Sequence, residues 1–166
     1  MNLFLRICLL ATICLLTACG YHLRGSIALP EQMKTMYVFG ASSQLHGETQ
    51  QILRSSKSKL VQTPNDAGIV VKVLKEDIRN RVLSVGTTGK SSEMEIAYYL
   101  RFQFYDGKEQ PLMDEQVIEL TREFFNDQTA ILAKENEEMQ IRKEIYKQAA
   151  RMMIARAQIA VENQNH

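Results

Sequence analysis

The 166-residue chain has no tryptophan, three histidines, three cysteines and no real excess of either charge. Each scarcity excludes something. Cys8, Cys14 and Cys19 are the only thiols, so nothing downstream can form a disulfide or a thiolate metal site. His22, His46 and His166 are scattered, without metal-ligand spacing. Twenty basic side chains stand against nineteen acidic ones, whereas a nucleic-acid-binding domain carries a basic excess. There is no G-x-S-x-G elbow and no H-E-x-x-H pair, and Gly86–Gly89 precedes a strand rather than the helix that a phosphate loop needs. Glu135, Glu137 and Glu138 form an acidic cluster. Near a helix start its simplest role is to complement the helix dipole and hold water. The residues therefore point to a non-enzymatic binding or assembly protein with no cofactor and no metal.

What is present begins at the N-terminus. Arg6 precedes an apolar run from Ile7 to Leu16. About ten residues is too short to span a hydrocarbon core, which takes about 20 helical residues, but it suits the apolar region of a secretory signal peptide. The run ends in Leu16-Thr17-Ala18-Cys19-Gly20, the lipobox pattern of bacterial lipoproteins. Residues 1–18 are expected to be removed and Cys19 to carry diacylglyceryl and N-acyl chains. Each buried CH₂ of those chains contributes ~0.8 kcal/mol, so two or three chains anchor stably. Gly20, in place of an aspartate that would favour inner-membrane retention, directs the expectation to the outer membrane. Arg6 is the only charge in the removed segment, so residues 19–166 carry equal numbers of basic and acidic side chains.

Residues 19–34 read as a lipidated tether and residues 35–166 as one α+β domain. Thr35–Phe39 is a short β-prone run stopped by Gly40. Ser42 or Ser43 can cap a helix to about Lys59 with a narrow apolar stripe. Thr63–Gly68 is a turn cluster, and a second strand runs from Ile69 to about Val82. In the third strand Met94, Ile96, Tyr98, Leu100, Phe102 and Phe104 alternate with Glu93, Glu95, Ala97, Tyr99, Arg101, Gln103 and Tyr105. Such alternation means one buried and one wetter face. Gln116–Phe125 continues an antiparallel meander. Asp127 or Thr129 can cap a last helix to about Val161, whose apolar positions (Met139, Ile141, Ile145, Tyr146, Ala149, Met152, Met153, Ile159 and Ala160) span about half the wheel, wider than the ~100° that one sheet needs. The expected fold is a four-stranded, mostly antiparallel sheet with two helices packed on one face. At this level two roles stay open: an assembly subunit, or a stand-alone lipoprotein that binds a small ligand or peptidoglycan.

Cys19-Gly20-Tyr21-His22-Leu23-Arg24-Gly25 resembles the mature N-terminus of the LPS-assembly lipoprotein LptE family. Arg122–Asn126, Leu132–Glu138 and Glu144–Ala150 are similar to that family's last strand and last helix. The resemblance covers nearly all of the chain after the signal peptide. It implies an outer-membrane lipoprotein on the periplasmic side, seated as a plug in the lumen of an LptD-type β-barrel, assisting that barrel's assembly and binding lipopolysaccharide on its way to the outer leaflet. Lipopolysaccharide offers phosphates beside acyl chains, so its sites need Lys or Arg near apolar surface. Lys134, in the Leu132-Ala133-Lys134 block, is the first candidate. Lys90, in the loop between the second and third strands, is the other.

Overall fold

A computed structural model describes residues 29–85, 91–125 and 131–164. The signal peptide, Cys19, most of the tether, Lys90, and the Asp127 and Thr129 capping positions lie outside the described residues.

β1 (Thr35–Phe39) ends at Gly40, where φ is +80°. A Cβ at Gly40 would stand 2.8 Å from the Val73 carbonyl oxygen, so both conformation and space call for glycine. The hydroxyl of Ser42 then accepts from the Leu45 N–H at 3.2 Å and caps α1 (Ser43–Ser55). β2 (Lys59–Leu60), β3 (Ile69–Val85), β4 (Ser91–Asp106), β5 (Gln116–Phe125) and α2 (Ile131–Gln164) follow.

The sheet has five strands in the order β2-β1-β3-β4-β5. This corrects the expected four-stranded, mostly antiparallel sheet. β2 is only two residues long, too short to show any alternation. β1 runs parallel to both β2 and β3, because α1 carries the chain back between β1 and β3 as a crossover. β3, β4 and β5 do form the expected antiparallel meander.

The register of β3 hides a second departure. Val73 pairs with Phe102 and Lys75 with Arg101, leaving Leu74 as an extra residue in a bulge. The bulge shifts the alternation by one. Ile69, Val71 and Val73 face the helices before it, and Glu76, Ile78 and Asn80 after it. Lys72, Lys75, Arg79 and Arg81 therefore share the open face.

Both helices cover the other face. Leu45 and Leu53 of α1 are fully buried against a core that includes Val71, Ile96, Leu100, Phe102, Phe104 and Ile118. α2 contributes Ile145, Ala149, Ala150, Met153, Ile154, Ala157, Ala160 and Val161, all buried. Its four alanines let the helix approach closely. Met139 and Ile159, expected in the apolar stripe, are instead 58% and 51% exposed. The buried residues still span about half the wheel, from Ile145 round to Ile154, but the stripe is rotated. Ile159 falls outside it, and Met139 lies at its angle but on the first turns of α2, where no described residue before Ile145 is fully buried.

Candidate functional site

The antiparallel register brings three features to one end of the sheet. Val85 pairs with Ser91, and Glu93 with Phe125. The strands flanking residues 86–90 thus end where β5 ends, shortly before α2 starts. Lys134 lies on the first turns of α2 and is half-buried. Lys90 belongs to the segment between those strands, outside the described residues.

One turn past Lys134, a polar network ties α2 to β3. Asn80 Nδ2 donates to Glu138 Oε1 at 2.9 Å, and Arg142 Nη2 donates to Asn80 Oδ1 at 2.7 Å. Arg142 also reaches Glu138 Oε1 through Nε at 3.0 Å and Nη2 at 2.9 Å. The Asn80 hydrogen bond, with the Arg142 contacts and the more distant Lys134 charge, holds the Glu138 carboxyl below its usual range despite partial burial. The Glu138/Arg142 spacing of four was visible in the sequence. Asn80 was not foreseen, because only the bulge turns it toward α2.

Beside this network α1 and α2 leave an open groove of about 540 Å³. Met139 and Tyr146 give it apolar surface, and Arg142, Lys143, Glu48 and Glu135 form its polar walls. Cations next to apolar surface suit an amphiphile bearing phosphate. Deeper, Tyr98 donates to Glu76 Oε1 at 3.0 Å. Burial, with the charge of Glu76, drives the Tyr98 hydroxyl far above its ordinary pKa, and Tyr146 shifts the same way. Both hydroxyls therefore stay protonated at neutral pH.

The open sheet face carries cations over aromatic rings. Lys72 Nζ stands 4.3 Å from the Tyr105 ring centroid and Lys75 Nζ 5.5 Å from that of Tyr99. Arg81 pairs with Glu95 at 2.6 Å, and Arg79 pairs with Asp77. Among the described residues, no group of three or more His, Cys, Asp and Glu side chains could hold a metal ion, and no helix is long and apolar enough to cross a membrane.

Residues 31–157 match the family model described as LptE, lipopolysaccharide-assembly. The LPS-assembly lipoprotein LptE of Pectobacterium atrosepticum is 30% identical over 146 residues, covering 84% of this chain and 77% of the relative. That of Photorhabdus laumondii is 29% identical over 153 residues, covering 88% and 81%. Among solved structures, an uncharacterized lipoprotein B from Nitrosomonas europaea superposes with a TM-score of 0.68 at 23% identity, covering 86% of this chain and 93% of that one. The rare lipoprotein B of Shewanella oneidensis gives 0.63 at 25% identity, covering 80% and 98%. The match spans the sheet, both helices and the network at the start of α2: the chain belongs to the LptE family of non-enzymatic lipopolysaccharide-assembly lipoproteins.

Proposed function

We propose that this protein is anchored through Cys19 to the periplasmic side of the outer membrane, plugs the lumen of an LptD-type β-barrel, assists its assembly, and binds lipopolysaccharide there. The observation that carries the reading is the family match over residues 31–157. The lipobox and the equal numbers of basic and acidic side chains beyond it are consistent with it.

Lys134 is the proposed lipopolysaccharide contact, with Lys90 as the second candidate. Lys134 is supported by its place one turn before Glu138, which lines the groove together with Met139, Arg142, Lys143 and Tyr146, although Lys134 itself is not a lining residue. An ammonium there can pair with a phosphate while acyl chains lie along the apolar surface. Depletion tests the whole reading. It should leave the barrel misassembled and lipopolysaccharide missing from the cell surface. A normal barrel and normal surface lipopolysaccharide would reject it.

A further inference from the structure

We propose that the free edge of β5 is a docking site for an extended, basic segment of a partner protein, which joins the sheet as an additional strand. The two sheet edges differ. β2 closes one with two residues. β5 forms the other with ten residues, contains no proline or glycine, and pairs with β4 in unbroken register from Gln116↔Phe102 to Phe125↔Glu93. A long, regular edge is a template for strand addition.

Two arginines show which backbone groups face outward. Arg156 Nη1 donates to the Val117 carbonyl at 2.7 Å, and Arg122 Nη1 donates to that of Thr121 at 2.8 Å. In an antiparallel ladder a residue directs its N–H and C=O to the same side, alternating along the strand. Val117, Glu119, Thr121, Glu123 and Phe125 therefore present their backbone groups to the free edge. All five are exposed. Among the described residues, no backbone group outside β4 bonds to β5. A carbonyl has two lone pairs, so the arginine contacts leave room for a strand.

Charge selects the occupant. Along this row Val117 and Phe125, 39% and 72% exposed, flank Glu119 and Glu123, and neither glutamate has an ion-pair partner among the described residues. The matching strand carries Lys or Arg opposite the glutamates and apolar residues toward its ends. A second copy of this chain would instead bring two more carboxylates to the same patch, and like charges across a strand pair repel. The proposal stands apart from lipopolysaccharide binding at Lys134, which lies on α2.

Amide hydrogen exchange on the full chain, with and without a capped peptide alternating lysine with valine and threonine, tests this. The expected result is saturable protection of the Glu119, Thr121 and Glu123 amides. In the double variant Glu119→Lys, Glu123→Lys the peptide should bind about tenfold more weakly, and a peptide with glutamate in place of lysine should bind better. Three results would overturn it: no protection on adding the peptide, protection of those amides before it is added (the edge would then be covered by the chain itself), or equal binding of the lysine peptide by the double variant.

Discussion

Glu76 accepts the backbone N–H of Ser42 on Oε2 and its hydroxyl on Oε1, both at 2.7 Å. Ser42 in turn caps α1. The bulge at Leu74 is what turns Glu76 toward the helix, so an irregularity in β3 fixes where α1 begins. Glu76→Ala should lower stability by about 1–3 kcal/mol, since it strands several partly buried donors. Glu76→Gln should cost less, because an oxygen acceptor remains. Urea denaturation of both variants checks the order.

Glu138 supplies a pH dependence. Its folded-state pKa lies below the usual 4.5, chiefly through the Asn80 hydrogen bond. At acidic pH the unfolded chain therefore binds this proton first, and folding keeps the carboxylate charged. The stabilisation is fully present above pH 4.5 and is lost as pH falls through the lower folded-state value. Asn80→Ala should flatten this part of the acid limb of the stability curve, measured by thermal melts between neutral and acidic pH.

The two ends of α2 should respond differently. Met153 is fully buried, so Met153→Ala should cost about 2–5 kcal/mol. Met139 is exposed, so Met139→Asp should change stability by no more than about 0.5 kcal/mol. Chemical denaturation of the two variants distinguishes a helix that packs on the core only from Ile145 onward from one packed along its whole length.

Much of the fold was legible where periodicity is strong. The β4 residues Ile96, Tyr98, Leu100, Phe102 and Phe104 are buried as their alternation requires, and β5 occupies Gln116–Phe125 as read. β2 was too short to register. The bulge at Leu74 was invisible because one inserted residue changes which face every later side chain meets without altering composition. Parallel pairing of β1 with β3 depends on a crossover that hydropathy does not encode. The network at Glu138 needed Asn80, which is far away in sequence. Lys134 was singled out only by resemblance, since one lysine in a mixed-charge helix has no signature of its own.

Lys134→Asp should reduce lipopolysaccharide binding by about tenfold or more, replacing an attractive charge with a repulsive one beside phosphate. Circular dichroism should show an unchanged fold, as Lys134 makes no ion pair among the described residues. Unaltered affinity, measured with purified lipopolysaccharide, would remove Lys134 from the site.

The most direct test of the account is co-purification of the full-length, lipidated protein from detergent-solubilised outer membranes. The plug reading predicts a stable stoichiometric complex with an LptD-type barrel, lost from the outer membrane when Cys19→Ala blocks lipidation. A monomeric lipoprotein in that fraction, with no barrel attached, would contradict it and favour a stand-alone binding role.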